Sequence, residues 1–216
     1  VLVNDYGWKN GVLNHPTEQD LLDNWANILY DNNKGVDRLN GQPLTQGEMQ
    51  QIVEQIVALR TPMHLNGFIN GKTVTITRDN EDDEFHYGRE VSLHIYDRQE
   101  IAGGRSRYQI ARQPHFSTKS KMLPERRGDV MLLINGMPLI HIELKRSGVS
   151  VSQARDQIRK YAHEGVFTRL FSLVQVFVAM NPDETVYFAN PGADGDFEAY
   201  NFHWADFDNE PVNYWK

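Results

Sequence analysis

The first apolar positions of the chain follow helical spacing, three and four residues apart. Thr17 with Asp20, and Thr45 with Glu48, have the spacing of capping boxes. Together these signals predict helices over about residues 18–31 and 46–59. The apolar stripes are Leu21, Leu22, Trp25, Ile28 and Leu29 in the first helix, and Met49, Ile52, Val53, Ile56 and Val57 in the second.

The spacing then changes to two, as in β-strands. Strands are predicted at 68–70 and 73–77, on either side of an Asn-Gly turn, and at 91–96 and 107–111. Gly71-Lys72-Thr73 is therefore interpreted as a hairpin turn and not as the end of a phosphate-binding loop, because no helical pattern follows it. Between two of these strands lies an acidic run, Asp79 to Glu84, which we expect to be a solvated loop.

The two most apolar runs, 130–134 and 139–144, flank the turn dipeptide Asn135-Gly136. This hairpin is expected at the centre of a sheet. Behind a serine cap, the good helix formers of 152–163 predict a further helix.

Two more continuous apolar runs, 173–180 and 186–189, predict buried strands. From Gly192 onward the sequence is acidic and aromatic, and we expect its rings to pack at the edge of the domain. The fold class is therefore α/β, with a mixed central sheet flanked by helices. Residues 1–216 are expected to form a single domain.

Length and composition exclude several classes of protein. The chain has 216 residues, no cysteine and 40% hydrophobic residues, so disulfide frameworks and disordered chains are excluded. No run approaches the roughly 18 apolar residues of a membrane span, and the first residues have neither the basic region nor the long apolar segment of a signal peptide. A cytoplasmic protein without a membrane partner is expected. The missing initiator methionine favours a fragment of a longer protein.

The formal charge of −7 hides a basic middle third. Residues 1–97 carry 7 basic and 15 acidic residues (net −8), residues 98–160 carry 13 and 5 (net +8), and residues 161–216 carry 2 and 9 (net −7). Basic residues with interleaved rings are typical of a surface that binds phosphates, and solvated charges that balance the acidic ends are an equal alternative. The candidate DNA-binding residues are Arg105, Arg107, Arg112, Lys119, Lys121, Arg126 and Arg127.

Three ionisable residues accompany the apolar hairpin. Asp129 precedes its first strand, and Glu143 and Lys145 share one face of its second strand. Buried charges are costly unless they are paired or bound to a metal. Two carboxylates on adjacent strands can hold Mg²⁺, and a lysine beside them can orient or deprotonate an attacking water. The set suggests metal-assisted phosphodiester hydrolysis, with a Glu143–Lys145 surface pair as the structural alternative.

The register of the hairpin tests this interpretation. A strict two-residue loop would place Glu143 opposite Gly128 and turn Asp129 to the other face. A shared metal site therefore requires a three-residue loop or a bulge. We expect Gly136 to supply the left-handed residue of a type I turn with a G1 bulge. Carboxylates on opposite faces of the sheet would exclude the metal site.

Gln157 and Tyr161, four residues apart on one helical face, complete an ordered set of motifs. Asp129, the hairpin, Glu-x-Lys and Gln-x-x-x-Tyr, with these spacings, resemble the PD-(D/E)xK nuclease superfamily and its RecB-like branch. More narrowly, segments 127–145, 14–52 and 107–113 resemble the N-terminal nuclease domain of type I restriction endonuclease R subunits.

The resemblance implies a PD-(D/E)xK nuclease fold and Mg²⁺-dependent endonucleolytic cleavage of double-stranded DNA. Asp129 and Glu143 would be metal ligands, with the Leu144 carbonyl as a further candidate, and Lys145 would be the catalytic lysine. Gln157 and Tyr161 would orient the site or contact the DNA backbone. ATP would bind only to motor domains absent from this chain, and the partners would be methyltransferase and specificity subunits.

Some features depart from the family pattern or fall outside it. Gly128 replaces the proline that usually precedes the aspartate. Glu48 is interpreted as a capping residue and Glu54 as a solvated one, so neither is assigned as an additional acidic ligand. His141 is interpreted as a core or sheet-face histidine. The alternatives to a restriction nuclease are another RecB-like repair or recombination nuclease and a non-catalytic DNA-binding module with a degenerate nuclease core.

Overall fold

The computed structural model describes residues 8–71, 73–96, 106–120, 122–192, 195–197, 200–210 and 212. Its α-helices are α1 (Glu18–Asn33), α2 (Gln46–Ala58), α3 (Pro62–Ile69) and α4 (Val151–His163). Its strands are β1 (Val12–Asn14), β2 (Thr73–Thr77), β3 (Glu90–His94), β4 (Tyr108–Arg112), β5 (His115–Phe116), β6 (Arg126–Arg127), β7 (Val130–Ile134), β8 (Met137–Leu144), β9 (Val176–Met180), β10 (Thr185–Ala189) and β11 (Phe202–His203). Short 3₁₀ turns occupy Trp8–Gly11 and Arg169–Leu173.

Both early helices are confirmed, and each begins with the predicted capping box. The strand predicted at 68–70 is wrong, because that segment ends α3. Thr61 caps this helix by accepting a hydrogen bond from the His64 amide, and Pro62 occupies its first turn. Gly71 therefore follows a helix, and the predicted hairpin turn is wrong too. Lys72 lies outside the described residues.

The central sheet has seven strands in the order β1-β4-β7-β8-β9-β10-β11. The pairs β1–β4 and β8–β9 are parallel and the other pairs are antiparallel. Two small antiparallel pairs, β2–β3 and β5–β6, lie outside it. The predicted α/β class and mixed central sheet are confirmed, and the predicted hairpin supplies the third and fourth of its seven strands, β7 and β8.

One face of this sheet forms the core. Met131, Leu133, Phe177 and Ala179 point to it, and all four helices contribute to the same apolar cluster. Leu132 and Ile134, at the alternate positions of β7, are half-buried and lie outside the cluster. Side chains in the middle of the core face, such as Met131 and Phe177, are therefore shielded from water by the helical layer.

The acidic run is not wholly solvated, contrary to the sequence-based expectation. Asp83 is fully buried and accepts from Arg78 Nε at 2.9 Å. The same guanidinium bonds Glu48 Oε2 at 2.5 Å, and all three side chains are 0% exposed. Glu48 also accepts from the backbone amides of Thr45 and Asp79. This network joins α2 to the loop after β2. It explains why Glu48 is buried, so Glu48 need not be assigned as a metal ligand.

The later elements differ from prediction in detail. The strand predicted over 173–180 begins only at Val176, because Arg169–Leu173 forms a 3₁₀ turn. The predicted edge packing of the aromatic C-terminal region is confirmed for Phe202 and Trp204, which contact Tyr187. Tyr214 and Trp215 lie outside the described residues. In the described segments, no helix has the length and apolar character that crossing a membrane requires.

Candidate active site on the central hairpin

The turn between β7 and β8 is tighter than predicted. Ile134 pairs with Met137, so the loop has two residues, and Asn135 and Gly136 have φ values of 51° and 84°. Positive φ at both positions is typical of a type I′ turn. The predicted type I turn with a G1 bulge at Gly136 is therefore wrong. A Cβ at Gly136 would lie 2.7 Å from Trp25 Cδ1, so the tip of the hairpin packs directly under α1.

The required bulge lies within the strand instead. Leu133 pairs with Pro138, but Leu132 pairs with Ile140, so Leu139 is an extra residue on β8. Beyond this point Val130 pairs with Ile142. This register places Asp129 opposite Glu143 and brings both carboxylates to one face, as a shared metal site requires.

Asp129 is hydrogen-bonded to the backbone of β8, whereas Glu143 is fully buried. Asp129 Oδ2 accepts from the Leu144 amide at 2.8 Å. Glu143 is 0% exposed. The pKa of Glu143 is raised to about 9, chiefly by burial and secondly by the charge of Asp129. Glu143 thus keeps its proton at neutral pH in the metal-free chain.

Gln157 of α4 connects the predicted catalytic residues. Its Oε1 accepts from Lys145 Nζ at 2.6 Å, and its Nε2 donates to Glu143 Oε2 at 2.8 Å and to Tyr161 Oη at 2.7 Å. Tyr161 in turn donates to the Arg127 carbonyl at 2.9 Å. Burial raises the pKa of Tyr161 to about 12, so its hydroxyl remains a donor. The structure therefore brings Asp129, Glu143, Lys145, Gln157 and Tyr161 together.

His141 is a buried histidine on the core face, as predicted, but sequence reasoning missed its partner. Its Nε2 lies 2.9 Å from Glu143 Oε1, and both side chains are 0% exposed. Burial lowers the pKa of His141 to about 3, so the ring is neutral. The spacing of two residues on one strand was the available signal, because it places His141 and Glu143 on the same face.

Asp129 and Glu143 have the chemistry expected of Mg²⁺ ligands. Within the described ranges, no group of three or more His, Asp or Glu side chains is arranged to hold a metal. Mg²⁺ does not need such a group, since it is commonly held by one or two carboxylates, with water and phosphate completing its shell. A cation would also replace the proton that burial keeps on Glu143. The residues therefore fit the ion.

Several predicted DNA-binding residues have partners within the chain. Arg107 pairs with Asp31 at 2.9 Å, and Arg126 Nε and Nη2 donate to Glu164 at 2.6 and 2.7 Å. Lys119 donates to the carbonyl of His163. Arg112 and Arg127 are exposed, whereas Arg105 and Lys121 lie outside the described residues.

Comparison with known proteins identifies the family of the chain. The sequence model of the type I restriction enzyme R protein N terminus matches residues 2–196. The chain is 34% identical over 201 residues to a type I restriction enzyme endonuclease subunit of Staphylococcus saprophyticus, and 32% identical over 199 residues to one of Staphylococcus aureus. These matches cover 91% and 90% of the chain.

A third relative is the EcoprrI endonuclease subunit of Escherichia coli, at 35% identity over 130 residues, or 58% of the chain. The chain spans 19% of the length of the two staphylococcal subunits and 39% of the third. The match to the family covers most of the chain and includes the hairpin and α4. The chain belongs to the family of type I restriction enzyme R protein N-terminal domains, with a fold like that of PD-(D/E)xK nucleases.

Proposed function

We propose that the chain is the Mg²⁺-dependent endonuclease module of a type I restriction enzyme. The observation that carries this proposal is the bulge at Leu139, which sets Asp129 beside Glu143 on the face where Gln157 holds Lys145. A bulge that re-aims side chains is a frequent feature next to active sites. A structural surface pair would not need a buried glutamate, a second carboxylate and a bridging amide.

Each side chain has a definable role. Asp129 and Glu143 would hold Mg²⁺, which supplies a polarised phosphate and an activated water when bound. Gln157 fixes the side-chain positions of Glu143 and Lys145 relative to each other through its two ends. The Lys145 ammonium would stabilise the negative charge that develops on the attacked phosphate.

DNA would approach over the basic middle third. Arg112 and Arg127 are exposed and best placed to contact phosphates, and Arg127 lies two residues before Asp129. Arg107 and Arg126 would first have to leave their carboxylate partners. Phosphate contacts carry no base information, so binding by this chain should be non-specific and weaken steeply with salt.

The remaining functions belong to the whole enzyme. The relatives are named endonuclease subunits of type I restriction enzymes, and they extend well beyond the matched region. We infer that residues 1–216 act as one cytoplasmic endonuclease domain. Methyltransferase and specificity subunits would choose the DNA site, and ATP would act through motor domains outside this chain.

The test is a plasmid cleavage assay on the assembled restriction complex, with ATP and Mg²⁺. Lys145→Met keeps the length of the side chain and removes its charge, and it should abolish cleavage while assembly persists. The matched control is Lys34→Met, because Lys34 is a surface lysine that pairs with Asp31 on α1.

Equal cleavage by the wild type and Lys145→Met would refute the proposed site. DNA binding without any cleavage by the wild-type complex would instead favour a non-catalytic module with a degenerate nuclease core. Cleavage that needs no methyltransferase or specificity subunit would favour another RecB-like nuclease.

A further inference from the structure

We propose that His141 is a positioning residue for Glu143, and that its Nε2–H fixes the carboxylate in the orientation that accepts a divalent cation. This inference rests on the proposed function, because the cation is the one that the nuclease would use. His141 itself would touch neither the cation nor the DNA.

The hydrogen bonds around Glu143 define its orientation. His141 Nε2 lies 2.9 Å from Oε1, and Gln157 Nε2 lies 2.8 Å from Oε2. Each carboxylate oxygen is therefore held by a different donor, one from its own strand and one from α4. Hydrogen bonds of this kind orient ligating carboxylates and tune metal affinity.

The direction of the hydrogen bond follows from the other ring nitrogen. His141 Nδ1 is buried and finds no partner in the described part of the chain. A neutral imidazole has one N–H, and an N–H on Nδ1 would be an unsatisfied buried donor facing aromatic rings. Placing the hydrogen on Nε2 uses it in the bond to Glu143 and leaves only an unfilled acceptor at Nδ1.

The surrounding side chains hold the ring in place. The rings of Phe116 and Phe167 meet His141 edge-on, with centroids 5.6 and 5.3 Å away. On another side, a Cβ at Gly128 would lie 2.7 Å from His141 Cε1 and 2.8 Å from Phe116 Cε2. Gly128 stands where the family usually has a proline. Because glycine has no side chain, it leaves the space that the His141 imidazole occupies. Gly128 and the His141 ring therefore pack closely together beside Asp129.

The first test is the tautomer of His141, measured by ¹⁵N NMR on the metal-free wild-type protein. We expect the Nε2–H form, with a slowly exchanging Nε2 proton and a pyridine-type Nδ1. An Nδ1–H tautomer would overturn the proposal. This measurement needs no variant and no activity.

The second test is Mg²⁺ binding by calorimetry. His141→Leu removes the donor and keeps an apolar side chain, and it should weaken Mg²⁺ binding by about 10- to 100-fold. His141→Gln places an amide N–H near the position of Nε2 and should recover most of the loss. The control is Phe188→Leu, because Phe188 is a buried ring that contacts Phe177, with ring centroids 5.5 Å apart, and makes no ring contact with His141.

The outcomes separate the two proposals. Wild-type protein that binds no Mg²⁺ would overturn the proposed metal site, and the tautomer would still decide whether His141 is the donor. Equal loss of Mg²⁺ affinity in His141→Leu and Phe188→Leu would mean that His141 only fills space in the core, which would overturn the positioning role. Failure of His141→Gln to recover binding would contradict the positioning role in the same way.

Discussion

Replacing Glu143 with glutamine should change how the stability of the metal-free protein depends on pH. The folded protein raises the pKa of Glu143 from 4.5 to about 9. Between these values the folded state keeps a proton that the unfolded state has lost. The stabilisation that this proton on Glu143 provides is therefore complete below pH 4.5 and is lost as the pH rises through about 9.

The magnitude follows from the pKa difference. Each pH unit within this window removes about 1.4 kcal/mol, so wild-type protein at pH 7 has lost about 3 kcal/mol relative to acid conditions. Glu143→Gln has nearly the same shape and no proton to lose. The free energy of unfolding of the variant, minus that of the wild type, should thus grow by about 4 kcal/mol from pH 5.5 to pH 8.5.

Urea denaturation in EDTA at several pH values measures this difference, and the other titrating groups largely cancel between the two proteins. Saturating Mg²⁺ should then stabilise the wild type and leave Glu143→Gln unchanged, because only the wild type binds the ion tightly. Parallel pH profiles for the two proteins in EDTA would refute the buried, protonated state of Glu143.

Other substitutions test individual parts of the fold by the same urea assay. Arg78→Met leaves its two buried carboxylate partners without a counter-ion and should cost about 3–5 kcal/mol; a loss below about 1 kcal/mol would contradict a buried ionic network. Tyr161→Phe removes a hydroxyl that both donates and accepts, and should cost about 1 kcal/mol; unchanged stability would contradict those bonds. Gly136→Ala should lower the free energy of unfolding clearly more than Gly148→Ala does. Both glycines have positive φ, but of the two only Gly136 lacks space for a Cβ. Equal losses would contradict the packing of the hairpin under α1.

Local signals were sufficient for the helices that begin with capping boxes. The side chains of Thr17 and Thr45 each bond an amide three residues along, and both helices form as predicted. The same reasoning missed α3, although Thr61 and Pro62 are typical start signals. The short apolar run near Phe68 was assigned to a strand because it is followed by Asn-Gly, but that dipeptide ends a helix here.

The residues that meet at the candidate site were predictable, but the way the backbone brings them together was not. The order of Asp129, Glu143, Lys145 and Gln157 identified the candidate residues, and strand period two placed Glu143 and Lys145 together. The position of the bulge depends on how Leu139 packs within a strand paired on both sides, which no single-sequence pattern encodes. Sequence reasoning therefore predicted that a bulge was needed and placed it at the turn.

Tertiary contacts account for the remaining differences. Asp83 lies in an acidic run that looks solvated, but Arg78 and His86 bond it in a buried position. The role of His141 depends on the ring cage and on Gly128, which are close to it only in the folded chain. The partners of His141 come from separate segments, and Arg78, which bonds Asp83, is tied to Glu48 of α2. Composition and periodicity do not reveal such links.

The central claim is that Asp129 and Glu143 form one Mg²⁺ site, and calorimetric titration of the chain with Mg²⁺ tests it most directly. Wild type and the surface control Asp37→Asn, whose carboxylate is 77% exposed, should bind Mg²⁺ equally at a single site and release protons on binding. Asp129→Asn should lose that binding and keep its fold by circular dichroism. Unchanged Mg²⁺ binding in Asp129→Asn, or no binding by a folded wild-type chain, would contradict the claim.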